Sequence, residues 1–225
     1  MLARIPLPLR VVLIWLLVAA NTLVRVSLLL LCSLLKGLLP VEGLRRVLDG
    51  WILALAESWI AGNSWMMDHM TTLRMHYRED AALDAQGHYL VLSNHRSWVD
   101  ILVLQKVFNR RIPFMRFFLK QQLIWVPLLG LAWRALDFPF MGRYTRKQIE
   151  KNPELGKRDM EATRRACEKF RTIPVAVMNF VEGTRFTPAK HARQASPYRH
   201  LLKPKSGGVA FVIDAYARCI VGWRV

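Results

Sequence analysis

Two apolar segments near the N-terminus predict a pair of helices. In the first, Arg25 separates a mostly apolar run of 14 residues, Val11–Val24, from one of ten residues, Val26–Leu35. Neither run alone has the roughly 20 residues of a membrane span, but the two joined across Arg25 do. An arginine near mid-span is costly unless it snorkels or pairs, so a single crossing and a helix lying in one leaflet both stay open.

The second segment, Leu44 to Trp65, follows the helix breakers Pro40 and Gly43. Its apolar residues recur at the spacing of an amphipathic helix, while most of its charged residues tend to the other side. The apolar stripe can pack on the protein's own core, and its tryptophans suit a membrane interface, so both interpretations are kept. Residues 1–70 are therefore predicted to form a membrane-associated helical hairpin that anchors the chain.

From His88 onward, short apolar runs alternate with helical stretches. The predicted strands are 88–94, 112–120, 138–143 and 173–185, and the predicted helices are 98–108, 146–171 and one within 202–217. This alternation predicts a catalytic domain, residues 71–225, of the α/β class, with a mixed or parallel sheet flanked by helices. The carboxyl ends of such strands are where ligands gather. Asn94-His95, Gly142-Arg143 and Glu182–Arg185 all fall there.

The stretch 117–141 is apolar enough to resemble a membrane span. Charged residues and two prolines, Pro127 and Pro139, argue against a plain span. We interpret this stretch as an apolar surface or tunnel wall that dips into lipid.

Positive charge is concentrated in the second part of the chain. Residues 1–70 hold six Lys/Arg against four Asp/Glu, whereas residues 71–225 hold 27 against 12, and the net charge of the whole is +17. A basic domain behind an apolar leader favours an anionic membrane surface or anionic substrates. No nucleic acid is expected as a partner, because the chain has no recognisable nucleic-acid-binding motif.

The stretch SNHRSWVD, residues 93–100, carries the strongest candidate chemistry. In a straight helix two residues five apart point about 140° away from each other, so His95 and Asp100 meet only if the helix begins between them. Ser97 and Asp100 have the spacing of a capping box, which predicts Ser97 as the N-cap residue and leaves His95 in the preceding turn. Asp100 would then orient His95 as a general base, or else would only cap the helix.

The nucleophile for such a base is most simply a hydroxyl of the substrate. The sequence has no G-x-S-x-G elbow, and no cysteine has a histidine nearby in sequence. Its His, Cys and carboxylate residues show no metal-ligand spacing, so no metal and no cofactor are expected.

Four motifs in order resemble the 1-acyl-glycerol-3-phosphate acyltransferase family, the glycerolipid acyltransferases with an N-H-x(4)-D motif. Asn94 to Asp100 is similar to that first motif, FPFMGR to the second, FVEGTR to the third and LKPKSGG to a lysine-glycine stretch beyond it. The resemblance covers the chain from about residue 70 to its end. It implies a bacterial inner-membrane protein whose catalytic domain faces the cytoplasm.

The resemblance also implies a role for each motif residue. His95 deprotonates the free hydroxyl of lysophosphatidic acid, Asp100 orients His95, and the alkoxide attacks the thioester of acyl-CoA or acyl-carrier protein to give phosphatidic acid. The residues expected to bind substrate are Arg143, Glu182, Gly183, Thr184, Arg185 and Lys205. Arg143 and Arg185 would hold the phosphate, and Glu182 would hold its turn in shape or steady an arginine. Lys203 and Lys205 would meet phosphate or carrier.

Two departures from the family's pattern affect these expectations. Val181 stands where the family usually has proline, and the chain ends at CIVGWRV instead of continuing into a V-P-V-like strand. We expect residues 219–225 to be an altered or truncated version of that strand, which puts activity in doubt. The alternatives are therefore another lysophospholipid or glycerol 3-phosphate as acceptor, or an inactive lipid-binding protein at the membrane surface.

Overall fold

The computed structural model describes residues 6–78, 82–142, 151–152, 154, 161, 170, 173–205 and 209 of the chain. Its longer helices are α1 (Leu7–Leu38), α2 (Glu42–Met70), α3 (Val99–Phe108), α4 (Leu129–Ala135) and α5 (Pro188–Gln194). A 3-10 helix spans Gln121–Trp125. The strands are β1 (His88–Ser93), β2 (Met115–Phe117), β3 (Leu119–Lys120), β4 (Phe140–Met141) and β5 (Val175–Phe180).

Helices α1 and α2 form the predicted hairpin, and α1 is continuous through Arg25. The Nε of Arg25 donates a hydrogen bond to Ser58 Oγ of α2 at 2.8 Å, which gives this charge a polar partner inside the helix pair. Helix α1 is long and apolar enough to cross a membrane. Helix α2 begins two residues before the predicted start and ends five residues after the predicted end.

The apolar stripe on α2 divides into buried and exposed residues, so its packing on the protein's own core is confirmed and its membrane contact stays a prediction. Leu48 and Ile52 are buried within the protein, whereas Val47 and Trp51 are 53% and 63% exposed. Helix α2 ends at Met70, beyond which the catalytic domain is predicted to begin. The hairpin nevertheless packs on the body through α3 and α4, so the division into two domains stays a prediction.

The central sheet is parallel, with β5 between β1 and β2. Val175 to Met178 of β5 are at most 2% exposed, as expected of an apolar strand covered on both faces. The prediction of one strand over 112–120 is wrong. The chain leaves the central sheet after Phe117, and Leu119–Lys120 pair with β4 in a second, two-stranded sheet.

The apolar stretch predicted as a surface or tunnel wall folds as the 3-10 helix followed by α4. Trp125 is 84% exposed, and α4 packs against α1. A Cβ on Gly130 would lie 2.1 Å from the carbonyl oxygen of Ile124, so only glycine permits this close approach. The stretch therefore presents an exposed apolar surface beside the hairpin.

The sheet brings the ends of β1 and β5 together. The two strands are parallel and in register from His88–Val175 to Ser93–Phe180, so their carboxyl ends lie at the same edge. The Val181 N–H donates to the Ser93 carbonyl at 3.1 Å, which continues the pairing one step past the strands. The residues that follow, Asn94-His95 and Glu182-Gly183, are consequently neighbours.

Candidate active site

The turn between β1 and α3 is organised by one carboxylate oxygen. Asp100 Oδ2 accepts from the Arg96 N–H at 2.7 Å and the Ser97 N–H at 2.8 Å, and it lies 3.0 Å from His95 Nδ1. The two residues five apart therefore do meet, because the helix begins between them. The first helical residue is Val99, with Trp98 as its cap, so the predicted N-cap at Ser97 is one residue early. Ser97 Oγ still accepts from the Val99 N–H at 3.2 Å.

The pKa of Asp100 is lowered, so its carboxylate is ionised at neutral pH. Burial opposes ionisation, but the hydrogen bonds from the Ser97 N–H, the His95 ring and the Arg96 N–H outweigh it and hold the pKa below its ordinary value. An ionised carboxylate can only accept hydrogen bonds, so His95 Nδ1 carries the proton that faces it. In the neutral ring, Nε2 is then the unprotonated nitrogen and can accept a proton.

Contacts from β5 and the turn after it fix the position of His95. The ring of Phe180 stacks on the His95 imidazole, with centroids 3.9 Å apart and planes 16° from parallel. The His95 carbonyl accepts from the Phe186 N–H at 2.6 Å. The His95 side chain stays 16% exposed, and that of Asp100 27%, so the pair is screened but still reachable from solvent.

Glu182 is fully buried and joins three segments of the chain. Its Oε1 accepts from the His95 N–H at 2.8 Å, and its Oε2 accepts from the Leu202 N–H at 2.9 Å. Glu182 was expected among the substrate-binding residues, but a side chain that is 0% exposed does not face a ligand in this structure. Of the two narrower roles, the geometry favours holding the turn in shape.

The predicted residues after Glu182 form a single tight turn. Gly183 has a φ of +64°, a conformation that favours glycine, and a Cβ there would lie 3.0 Å from Lys205 Cδ. The Lys205 N–H donates to the Val181 carbonyl at 2.7 Å, which brings the lysine-glycine stretch onto this turn. Arg185 is exposed and lies at the same edge of the sheet as His95.

Lys190 was not predicted from the sequence. Its Nζ donates to Thr184 Oγ1 at 2.8 Å and to the Arg185 carbonyl at 3.0 Å, so it braces the turn from the first helical turns of α5. The Thr187-Pro188 pair is a recognisable helix start, and Thr187 Oγ1 accepts from the Lys190 N–H at 3.3 Å. Phe180 was also missed, since a stacked aromatic residue at a strand end looks like any other core residue in the sequence.

Other predicted site residues lie outside the described part of the chain. These are Arg143, Gly207 of the lysine-glycine stretch, the helix predicted over 146–171 and the part of 202–217 beyond Lys205, both apart from isolated positions, and residues 219–225. Among the described residues, no group of three or more His, Cys, Asp or Glu is placed to hold a metal ion. The arrangement that is described combines an oriented imidazole with an exposed basic turn after the neighbouring strand.

Comparison with known proteins agrees with this geometry. A family model described as Acyltransferase matches residues 74–222. The chain is also similar to the solved structure of the 1-acyl-sn-glycerophosphate (LPA) acyltransferase PlsC from Thermotoga maritima, at 17% sequence identity and a TM-score of 0.57. That match covers 92% of this chain and 71% of the other, and at this identity it shows a shared fold. A comparison with curated proteins gave no match.

Proposed function

On the premise that this chain belongs to the acyltransferase family, we propose that it transfers a fatty acyl chain from acyl-CoA or acyl-carrier protein to lysophosphatidic acid. The product would be phosphatidic acid, and no cofactor is required. The observation that carries the proposal is the 3.0 Å contact between His95 Nδ1 and Asp100 Oδ2, one strand away from an exposed arginine. The similar Thermotoga maritima protein is named for lysophosphatidic acid, which supports the choice of acceptor.

In the first step of the proposed reaction, His95 acts as the general base. Its Nε2 accepts the proton of the acceptor's free hydroxyl while the oxygen attacks the thioester carbonyl carbon. The ring becomes an imidazolium, and the ionised Asp100 stabilises that charge across the Nδ1 contact. The stacked Phe180 ring keeps the imidazole plane fixed while its charge changes.

In the second step, the tetrahedral intermediate collapses and its C–S bond breaks. The sulfur leaves as a thiolate, and the proton held by His95 is passed on to that sulfur or to solvent. A thiolate is a good leaving group, so the acyl group can move directly from sulfur to the acceptor oxygen. No covalent acyl-enzyme is needed.

The exposed basic turn is the proposed phosphate subsite. Arg185 lies three residues beyond Glu182, which is bonded to the His95 N–H, so a phosphate on Arg185 would hold the acceptor near the base. Arg143 and Lys205 would add further positive charge. Guanidinium groups bind phosphate with two parallel hydrogen bonds, which fixes orientation as well as position. Gly183 and Thr184 would let the backbone approach the ligand closely.

The contacts between hairpin and body support a location in one leaflet of the membrane. Arg45 of α2 lines the same groove as Arg134 of the body, and Asp68 at the other end of α2 binds Lys106. The 23 residues from Arg45 to Asp68 correspond to about 35 Å of helix, which is more than the roughly 30 Å of a hydrocarbon core. Because the body contacts both ends of this length of α2, a hairpin that crossed the membrane would place the polar body inside the hydrocarbon core.

We therefore propose that the hairpin lies along the membrane surface. Its exposed apolar side chains would enter one leaflet, among them Trp15, Leu16, Leu31 and Trp51. The body would face the cytoplasm at a bacterial inner membrane, where acyl-CoA and acyl-carrier protein are available.

A panel of acceptors tests the proposed reaction. Membranes that contain the full chain are given labelled acyl-CoA or acyl-carrier protein together with lysophosphatidic acid, other lysophospholipids or glycerol 3-phosphate. We expect labelled phosphatidic acid from the wild type, and a loss of about a thousandfold in His95→Ala. The matched control is His88→Ala, which removes an exposed histidine at the start of β1, seven residues before His95.

Two results would decide against parts of this proposal. Equal activity in the wild type and His95→Ala would eliminate the base mechanism, and no transfer to any acceptor by the folded wild type would favour a lipid-binding role. If transfer to glycerol 3-phosphate or to another lysophospholipid is faster than transfer to lysophosphatidic acid, the faster substrate is the acceptor. The proposed mechanism would then be unchanged.

A further inference from the structure

A groove of about 640 Å³ lies where α1, α2 and α4 meet, away from the site described above. None of His95, Asp100 or Glu182 lines it. One part of its wall is apolar and includes Leu34 of α1 and Leu131 of α4. Its basic residues are Lys36, Arg45 and Arg134, one from each of the three helices.

The charges around the groove leave a positive balance for a ligand. Lys36 is already paired with Asp49, and Asp137 also lines the groove. Arg45 donates its Nε to the Leu39 carbonyl at 3.0 Å, but a guanidinium has five N–H donors in all. Arg45 and Arg134 therefore supply two positive charges against the one carboxylate of Asp137.

The apolar wall continues onto the surface of the hairpin. Leu34 and Leu131 line the groove and are 58% and 56% exposed, and Leu31 and Leu38 on α1 are 51% and 66% exposed. A ligand in the groove would thus touch a cationic end and an apolar surface that α1 extends. That combination suits a molecule with an anionic head and a hydrocarbon chain.

We propose that the groove binds one anionic glycerophospholipid from the membrane, as a site additional to the proposed catalytic one. Its phosphate would lie between Arg45 and Arg134, and one acyl chain would lie against Leu34 and Leu131. The bound lipid is not consumed. Because Arg45 belongs to the hairpin and Arg134 to the body, the lipid would add a further link between the two at an acidic membrane.

Direct lipid binding to the full chain tests this proposal. Phosphatidylglycerol is titrated into the detergent-solubilised protein, and bound lipid is counted by native mass spectrometry. Parallel titrations use phosphatidylcholine, which has no net charge, and inorganic phosphate, which has no chain. We expect one phosphatidylglycerol per chain, with at least tenfold weaker binding of phosphatidylcholine and of inorganic phosphate.

Charge variants separate this groove from general attraction to a basic protein. Arg134→Gln is expected to weaken phosphatidylglycerol binding about tenfold, because it removes a charge-assisted contact to the phosphate. Arg46→Gln removes the same charge next to Arg45 and is expected to leave binding unchanged, since Arg46 is not part of the groove lining. Thermal unfolding of each variant shows whether it is folded.

A bulk variant tests the groove without changing any charge. Gly37 lines the groove, and a Cβ there would meet nothing within 4 Å, so Gly37→Phe should block lipid while α1 stays intact. Gly50 on α2 has equally open surroundings but does not line the groove, so Gly50→Phe is the matched control. We expect loss of the bound lipid in the first variant only.

Four results would overturn the proposal. Equal weakening by Arg134→Gln and Arg46→Gln would mean unspecific electrostatic attraction. Equal affinity for phosphatidylcholine would show that the groove does not select a negatively charged head. Equal affinity for inorganic phosphate would show that the acyl chain does not contribute to binding. Retention of the lipid by folded Gly37→Phe would place it elsewhere on the protein.

Discussion

The hairpin and the catalytic body place polar groups in opposite ways. In the hairpin, Asn21 and Arg25 form hydrogen bonds to α2 between the helices, while Trp15 and Leu16 are 65% and 63% exposed. In the body, the middle of β5 is apolar and buried, and the polar groups collect past its end, at Glu182. The difference indicates that the hairpin is suited to apolar surroundings.

The two regions also differ in what their polar contacts do. At Asn21 and Arg25, the hairpin pairs an amide with an amide and an arginine with a hydroxyl, and these contacts hold the two helices together. The body directs two carboxylates, Asp100 and Glu182, at backbone N–H groups of the turn that carries His95. Loss of a carboxylate should therefore affect chemistry and the turn, and loss of a hairpin amide should affect helix packing alone.

The largest effect is expected from Asp100→Asn. The amide still fits the turn, but it no longer stabilises a protonated His95, so the rate of acyl transfer should fall about a thousandfold or more. Asp84→Asn is the control, because Asp84 accepts one N–H in a remote exposed turn. Rates at saturating donor and acceptor, with circular dichroism on both proteins, check this. A fall of less than tenfold in Asp100→Asn would mean that Asp100 only caps the helix.

Glu182→Gln should have the next largest effect, and on stability as well as rate. The variant presents an amide N–H₂ to a backbone N–H that needs an acceptor, which we expect to lower the free energy of unfolding by about 3 kcal/mol. Urea unfolding in detergent measures this, with exposed Glu154→Gln as the control. An unchanged midpoint would show that the buried carboxylate does not hold the turns together.

In the hairpin, Asn21→Leu should lower the free energy of unfolding by about 1–2 kcal/mol. Asn21 Nδ2 donates to Asn63 Oδ1 at 2.9 Å and to the Trp59 carbonyl at 3.0 Å, and the change leaves both acceptors without this donor. The double change with Asn63→Leu should cost less than the sum of the two single changes, because one shared bond is lost in both. Acyl transfer should stay within a factor of about two to three. Strict additivity would show that the two amides do not interact.

The smallest effect concerns pH and again involves Asp100. Because its pKa is lowered in the folded state, the stability it contributes is complete above the ordinary value of 3.8 and is lost as the pH falls through the folded value. The difference in the free energy of unfolding between wild type and Asp100→Asn should thus shrink as the pH falls below 3.8. A difference that grows as the pH falls below 3.8 would contradict the lowered pKa.

Patterns that depend on local spacing were predictable from the sequence. The strand and helix around His95 follow from an apolar run, a turn and a capping signal, and Ser93 and Val99 are the observed ends. The hairpin follows from apolar length and periodicity. The parallel sheet follows from alternation, because a crossover helix between strands brings successive strands parallel.

Features that depend on three-dimensional neighbours were not predictable. The stretch 112–120 divides at Phe118 because β2 pairs with β5 and β3 pairs with β4. These pairings cannot be predicted from the local sequence. Arg116 is 7% exposed in the middle of β2, where sequence alone predicts an apolar residue. Its Nε donates to the Leu136 carbonyl at 2.9 Å, a partner 20 residues away. The burial of Glu182 likewise depends on Leu202, which reaches it from another loop.

The Glu182 carboxylate has a consequence for how the protein opens and closes locally. One acid group accepts N–H bonds from positions 87 residues before it and 20 residues after it, so neither amide can reach solvent while that group stays buried. Deuterium should therefore enter the His95 and Leu202 amides at matching rates, as members of one cooperative unit. In kinetic terms, the segment that carries His95 and the loop that approaches the basic turn share a single local unfolding event.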